Sequence, residues 1–332
     1  MTEREFRVGV VGVGSLGTVL CEQFADVPGA RVAAVADVSD ENRATAGDRF
    51  GVPEGARYAD HEAMFDGADL DAAVVTTPHA LHHEHVTAAM DRDLHVLCEK
   101  PLVTSLADAR DLVERDGARE EVLMVGYQRH LDPAFLRARE RWAAGDRSPN
   151  FLTAEITQDL FDALAGEWYL DPDLSGGGQI YSTGTHLIDA VLWTTGLDPA
   201  AVTASLNLHE GRERLDKHAA VTVEFDGGAV ATLGISGDTP RTYEHFHGWE
   251  DDGAVYVDGR QWDPRTVRVV DAEGTEHEPH LGEARSKAAA FVEAAREGLE
   301  PPATARDALR ATAVQEAIYE ADDRGERVAV DL

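Results

Sequence analysis

Val8-Gly9-Val10-Val11-Gly12-Val13-Gly14-Ser15-Leu16-Gly17 decides the fold of this chain. A short valine-rich run ends in glycines spaced G-x-G-x-x-G at Gly12, Gly14 and Gly17, and an amphipathic stretch near 15–26 follows. Alone the pattern is weak, but its surroundings are specific. A strand precedes it, a helix follows it, and Asp37 stands twenty positions beyond Gly17 at the end of a second apolar run. That is the setting the dinucleotide-binding fingerprint requires. Gly12 permits the tight turn, Gly14 lets the backbone approach a pyrophosphate, and Gly17 allows close helix packing. The helix start at Ser15 and Leu16 supplies amide hydrogens and a positive dipole end. Asp37 suits both hydroxyls of an adenosine ribose and repels a 2′-phosphate, so NAD is expected over NADP. Val38-Ser39-Asp40 adds no arginine; the nearest, Arg43, falls on the next expected helix.

The alternation continues. Strands are predicted at 6–13, 31–37, 71–77, 94–99 and 121–127, with helices near 15–26, 40–50, 79–92 and 105–118, the last capped by Thr104 or Ser105. This implies an α/β, doubly wound parallel sheet with helices on both faces, a Rossmann arrangement. After Tyr127 the pattern changes to a helix near 132–145 and strands at 151–160, 202–209, 218–226 and 229–236, the last two joined by a turn at Asp226-Gly227-Gly228. Short strands near 253–257 and 266–271 and helices near 282–298 and 304–321 complete an α+β half with a large, mostly antiparallel sheet. The expected domains are 1–126 and 127–332.

The formal charge is −32, from 62 acidic and 30 basic residues, spread along the chain. Such a surface repels nucleic acid and anionic membranes, so neither is an expected partner. Abundant acid, scarce lysine and many alanines suit a salt-rich cytosol, where screening tames self-repulsion; the alternative is simply an acidic protein. Cys21 and Cys98 read as small buried thiols in a reducing compartment. Met1-Thr2-Glu3-Arg4-Glu5 carries no apolar signal region and no run approaches membrane-spanning length, so a soluble, cytoplasmic protein is expected.

Lys100 is one of three lysines, with Lys217 and Lys287, against 27 arginines. Arginine stays charged at any working pH, whereas a lysine amine can be tuned to give and take a proton. A position that resists the replacement is a candidate for proton chemistry. Lys100 also follows a strand of the parallel sheet and precedes Pro101, which biases it toward extended backbone. It therefore falls at the carboxyl edge, where ligands of such sheets bind.

With these residues together the chain resembles the Gfo/Idh/MocA family, the glucose–fructose oxidoreductase and inositol dehydrogenase group, over almost its whole length. Thr76-Thr77-Pro78 through His82 is similar to the segment beside the nicotinamide ribose. Glu99-Lys100-Pro101 matches E-K-P, whose lysine is the catalytic acid or base, and Gly126-Tyr127-Gln128-Arg129 resembles the entry to the second domain. Gly176-Gly177-Gly178 and Gly184-Thr185-His186-Leu187-Ile188-Asp189 resemble the G-G-G…D-x-G-x-H-x-x-D stretch. One position departs: Ser182 stands where the family has its first aspartate, and serine supplies neither that charge nor a proton acceptor at neutral pH. Ser182 and His186, four apart, would share a helical face. Asp189 either orients the His186 imidazole or makes an ordinary polar contact.

The resemblance implies an NAD-dependent oxidoreductase that passes a hydride between nicotinamide and a secondary alcohol or ketone of a sugar, polyol or sugar derivative. Lys100 and His186 would be catalytic. The cofactor would be held by Gly12, Gly14, Ser15, Leu16, Asp37, Thr76, Thr77, Pro78, His82, Glu99 and Lys100. The substrate would be held by Lys100, Gln128, Arg129, Tyr181, Ser182 and His186. The second domain would bind substrate and build a homodimer or homotetramer. Two other readings stay open: a non-catalytic regulator that binds NAD and sugar, and a redox-neutral lyase or hydrolase using tightly held NAD. His79, His82, His83 and His85 imitate a metal site, but no metal is expected there and His79 or His82 suits the cofactor edge. His245-Phe246-His247-Gly248-Trp249 either lines a sugar pocket or covers the sheet at a subunit contact.

Overall fold

The computed structural model describes residues 4–143, 147–261 and 263–332. They divide into two compact units. Residues up to Val103 with Ala107–Gly126 and Arg285–Arg306 form the first; Thr104–Leu106, Tyr127–Ala284 and Asp307–Leu332 form the second.

In the first unit β1 (Phe6–Val11), α1 (Ser15–Ala25), β2 (Ala30–Ala36), α2 (Asp40–Phe50), β3 (Arg57–Tyr58) and α3 (His61–Gly67) are followed by β4 (Ala72–Val75), α4 (His82–Met90), β5 (His95–Cys98), α5 (Leu106–Asp116) and β6 (Leu123–Val125). The sheet runs β3-β2-β1-β4-β5-β6, every pair parallel. Its order reverses between β1 and β4, the switch point at which such sheets open a ligand crevice. Val8, Val10, Val74, Val75, Val96 and Leu97 are buried, as strands covered on both faces require. The Ser39 hydroxyl caps α2 by accepting from the Asn42 N–H (3.2 Å), and Asp60 caps α3 through the Ala63 N–H (2.8 Å).

Pairing register matters more than element length here. Val11 lies opposite Ala36 and Val75, Val75 opposite Cys98, and Cys98 opposite Val125. Five strands therefore end level, and Asp37, Gly12, Thr76, Glu99 and Gly126 are the first residues beyond one edge. The strands stop one to two residues short of the predicted ends because those residues turn away into loops. β3, at two residues, and α3, with Met64 and Phe65 as its buried side chains, had too little periodicity to be predicted.

The second unit begins with α6 (Pro133–Ala143), β7 (Phe151–Asp159), α7 (Pro172–Ser175), α8 (Thr185–Thr195), β8 (Pro199–Leu208), β9 (Asp216–Phe225), β10 (Val230–Ser236), β11 (Asp238–Glu250), β12 (Gly253–Arg260), β13 (Thr266–Val270) and β14 (Glu276–His277). After α9 (Lys287–Glu297) come α10 (Ala305–Arg324) and β15 (Val328–Ala329). Among the described residues the sheet has nine strands, β14-β13-β12-β11-β7-β10-β9-β8-β15, antiparallel except at β7–β10. Leu152, Ala154, Ile156, Val221, Val223, Leu233, Ile235 and Phe246 fill its buried face. The other face is small, polar and half-exposed, with Phe151 stacked on Trp249 at 5.7 Å. β11, of 13 residues, was not predicted as a strand. It carries His245, His247 and Trp249 on alternate positions of the half-exposed face.

Arg285–Arg306 belongs to the first unit, whereas the sequence division put it in the second. The cause is local packing. Phe291 of α9 meets Phe6 and Phe24 edge-on, each at 6.3 Å, and Val125 N–H donates to Ala303 O (3.0 Å). Phe291→Ala should cost about 3–5 kcal/mol, the usual range for a buried aromatic, read as a lowered denaturant midpoint at unchanged slope.

Candidate active site

The glycine turn is set by sterics. Gly12 has φ +85°, a left-handed conformation, and its N–H donates to Ala36 O (2.7 Å). A Cβ on Gly17 would lie 2.0 Å from Gly12 O, so α1 can start against the turn only with glycine there. A Cβ on Gly14 would meet open space, so its backbone is the approachable one. Asp37 accepts from Val13 N–H through Oδ2 and Ser39 N–H through Oδ1, each at 2.8 Å. Asn42 Nδ2 also donates to Oδ2 (3.4 Å), and this long contact is the one a diol hydroxyl would replace. Arg43 donates to Asp37 O (2.5 Å) and pairs with Asp40, which draws it off the carboxylate. A strand-ended glycine turn, an open helix start and a carboxylate at the end of the second strand fit an adenine dinucleotide.

Next along the edge, Thr76 N–H donates to Val11 O (2.9 Å) and its hydroxyl to Gly12 O, tying the loop of Thr76, Thr77 and Pro78 to the glycine turn. His82 is fully buried, with Nδ1 2.8 Å from Pro101 O and Nε2 2.8 Å from Thr77 O. It is a tie between two edge loops, with both ring nitrogens engaged within the protein. Burial pushes its pKa down, against the pull of the two carbonyls and Glu99. Glu99 is likewise turned inward: 2% exposed, it pairs with Lys287 of α9 and accepts the Lys100 N–H (3.2 Å) through Oε2. The Glu99 side chain is thus committed to the fold, while Lys100 beside it is half-exposed at the edge.

The remaining histidines disperse. His79 is buried, His83 faces Asp111 (2.8 Å), and His85 Nδ1 lies 2.9 Å from the Thr77 hydroxyl. Among the described residues no group of three or more His, Cys, Asp or Glu is placed to hold a metal ion.

In the second unit Ile180–Gly184 forms a π-helical turn that runs into α8. Such turns are frequent at functional sites, and this one carries Ser182, with His186 the second residue of α8. The plain helical spacing expected for the pair is therefore altered, though both remain on one continuous segment. Its entrance is fixed by Asp216, which accepts from Gly178 N–H (3.0 Å), Ile180 N–H (2.9 Å) and the Tyr319 hydroxyl. A Cβ on Gly178 would sit 2.2 Å from Asp216 O, which explains that glycine. Burial pushes the Asp216 pKa up to about 6, against those three donors. Tyr127 donates to or accepts from Thr185 (3.1 Å) and packs edge-on to His186 at 6.3 Å.

Tyr181, Arg129 and Asp189 are tied into the framework. Tyr181 is buried, its hydroxyl donating to Glu316 (2.5 Å) and Thr104 O (3.3 Å), so it anchors the turn. Arg129 has no side-chain exposure and is gripped by Glu244 at 3.1 Å through both Nε and Nη2. Asp189 is engaged by His130 Nε2 (3.0 Å), which stacks on Trp193 at 4.0 Å. Gln128, half-exposed, stays on the short helical turn after Tyr127. Lys287 and Asp216 escaped sequence reasoning; for Lys287 the signal was present, since it is one of three lysines, and for Asp216 there was none.

The model of the oxidoreductase family with the NAD-binding Rossmann fold matches residues 6–127, and that of the GFO/IDH/MocA C-terminal domain matches 136–261. The chain belongs to the Gfo/Idh/MocA family. Its members here include a D-xylose 1-dehydrogenase (NADP(+)) of Haloferax volcanii, 27% identical with 98% of each chain covered. An inositol 2-dehydrogenase of Paracoccus denitrificans is 32% identical over 56% of this chain and 53% of that one. The crystal structure of aldose-aldose oxidoreductase from Caulobacter crescentus shares the fold at TM-score 0.87 and 24% identity, over 98% of this chain and all of that one. As a Gfo/Idh/MocA protein the chain is an NAD(P)-dependent dehydrogenase or reductase acting on CH–OH groups.

Burial pushes His85 down to about 4 from 6.5. The fold thus holds it neutral and the unfolded chain binds its proton first. Its contribution to stability is whole above about pH 6.5 and is lost as pH falls toward 4. His85→Gln should flatten the dependence of the unfolding midpoint on pH across that window; an unchanged slope would contradict the assignment.

Proposed function

We propose that this family member uses NAD to oxidise a secondary alcohol of a sugar, polyol or sugar derivative, or to reduce the matching ketone, with Lys100 as principal proton acceptor. The observation that carries the reading is the level edge, along which Asp37, the glycine turn, Thr76 and the half-exposed Lys100 follow one another. When bound, the nicotinamide would supply the hydride acceptor or donor. Gly12, Gly14, Ser15 and Leu16 would cradle the pyrophosphate. Thr76, Thr77 and Pro78 would border the nicotinamide ribose, and Asp37 would hold the adenosine diol. Val38, 93% exposed beside it, offers adenine an apolar surface. The Lys100 amine would take the hydroxyl proton during oxidation and return it during reduction. His186 with Ser182 and Gln128 would hold the substrate. Ser182 lacks the charge of an aspartate, so proton transfer falls on Lys100 with His186 in support.

We also infer a homodimer or homotetramer in which a second copy covers the half-exposed face of the nine-stranded sheet, His247, Trp249 and Tyr256 among it. A cytoplasmic location and an adaptation to high salt complete the proposal; no described helix is long and apolar enough to cross a membrane. The charge of −32 supports the salt dependence. At 1 M salt the Debye length is about 3 Å, which screens most of that repulsion. The thermal midpoint should rise steeply with potassium chloride from dilute buffer to multimolar salt, and a flat response would remove the halophilic reading.

Cofactor choice is tested by fluorescence titration with NAD and NADP. NAD should bind more tightly, and Asp37→Ala should cost about 1.5–3 kcal/mol of that preference, roughly 10- to 150-fold. Tighter NADP binding by the parent, the cofactor in the name of the Haloferax volcanii relative, would overturn the Asp37 assignment.

An absorbance screen at high salt over sugars, inositols and sugar acids tests the reaction. Net NADH formation separates a dehydrogenase from a redox-neutral lyase, and any turnover separates it from a regulator. With a substrate found, Lys100→Met should nearly abolish turnover while NAD affinity stays within about a few-fold. His186→Ala should slow it on the order of 10²-fold. Substantial activity in Lys100→Met at any pH would transfer the base to His186.

A further inference from the structure

Two of the three lysines bear on the end of β5: Lys100 follows Glu99 in the chain, and Lys287 pairs with the Glu99 carboxylate. Lys287 is the first residue of α9, whose start is fixed by Ser286 accepting the Ala289 N–H (3.1 Å). From there its ammonium reaches the Glu99 carboxylate, and the side chains of the pair are 10% and 3% exposed. The carboxylate has no room to move. A Cβ on Gly126 would lie 2.9 Å from its Cδ and both oxygens, and Oε2 already accepts the Lys100 N–H. Glu99 N–H donates to Val75 O (2.9 Å) and Gly126 N–H to Cys98 O (2.8 Å), so the backbone on both sides belongs to the sheet edge.

This creates an electrostatic difficulty for the neighbouring residue. A fixed, dehydrated anion one position from an amine favours the ammonium form, and an ammonium cannot accept a proton. We propose that Lys287 is a positioning residue for Lys100: by closing a buried ion pair with Glu99 it cancels that anion and leaves the Lys100 amine free to lose its proton. Among the titratable groups described about this turn are Glu99 and Cys98 at the strand end, Lys287 from α9, and His79 with His82, which binds Pro101 O. Burial holds His82 toward its neutral form and the Cys98 thiol protonated, which leaves Glu99 and Lys287 as a charged pair beside Lys100. Lysine suits the task because its charge is compact, and in an interior this tight a guanidinium would need a second acceptor.

The inference rests on Lys100 as proton acceptor, but its test needs no substrate. Protein labelled with 13C-lysine gives three Cε signals, assigned by substitution and followed through a pH titration at high salt. In Lys287→Met the Lys100 midpoint should rise by about one pH unit or more, tenfold in proton affinity per unit. In Glu99→Gln, where the cation stands alone, it should fall. In the double variant Glu99→Gln/Lys287→Met, which is neutral like the pair, it should return to within a few tenths of the parent value. An unmoved midpoint in Lys287→Met, or a double variant no nearer the parent than either single, overturns the proposal. Should Lys287→Met fail to fold, the fall in Glu99→Gln and its reversal in the double variant decide alone. Activity surviving Lys100→Met would remove the proton-acceptor reading and leave this charge balance standing, so the two failures are distinct.

Discussion

Everything proposed for the first unit depends on five parallel strands ending at the same height. Parallel pairing has evenly spaced hydrogen bonds, and strands buried on both faces admit no slip that keeps their side chains in apolar surroundings. The row Ala36, Val11, Val75, Cys98 and Val125 is therefore fixed by the core and not by the loops. The loops inherit a common starting line. That is why a glycine turn, an aspartate, a threonine and a lysine far apart in the sequence, from Gly12 to Lys100, can serve one extended molecule. The short connections then add precision: Thr76 binds the glycine turn, and His82 binds the loop after β4 to the turn after β5.

The second unit solves a different problem, that of holding irregular backbone steady. The π-helical turn at Ile180–Gly184 departs from the regular helical ladder, and its entrance is held by a buried carboxylate receiving three donors. Removing Asp216 would leave two buried N–H groups without that acceptor, each a cost of roughly 1–3 kcal/mol. Arg129, Glu244, Arg265 and Asp132 form a second buried set, with Arg265 Nη1 2.8 Å from Asp132 Oδ2. Such a network is costly to break from one side, because the surviving charges are left uncompensated. Its value is placement: it fixes the turn of Gln128–Leu131 against the sheet.

Much of this was legible in the sequence, and the omissions have physical causes. The valine-rich strands and the spacing of Gly12, Gly14, Gly17 and Asp37 identified the doubly wound sheet, because that unit is a local arrangement of strand, turn and helix. Lys100 was legible by scarcity and position. Arg129, Tyr181, Glu99 and His82 are buried and bonded within the fold, and burial cannot be read from a motif. β11 escaped because Pro240, Glu244 and the four ring-bearing residues Tyr243, His245, His247 and Trp249 on its half-exposed face hide the period-2 alternation of a strand. Asp216 and Lys287 act on partners 38 and 188 positions away, a pairing no periodicity encodes.

The charge pattern ties the surface to that interior. Arg49 with Glu22, Arg324 with Glu320 and Arg327 with Glu224 are exposed pairs of the kind worth about 0–1 kcal/mol each, and they thin further as salt rises. A surface with twice as many acids as bases cannot be neutralised by such pairs, so their value is local and the solvent ions must do the rest. Interior ions have no such help. Glu99 lies where salt does not reach, and only a cation built into the fold can balance it. Screening by salt and pairing by built-in cations, Lys287 for Glu99 and Arg129 with Arg265 for Glu244, are thus answers to the same excess of carboxylate on two sides of the protein surface.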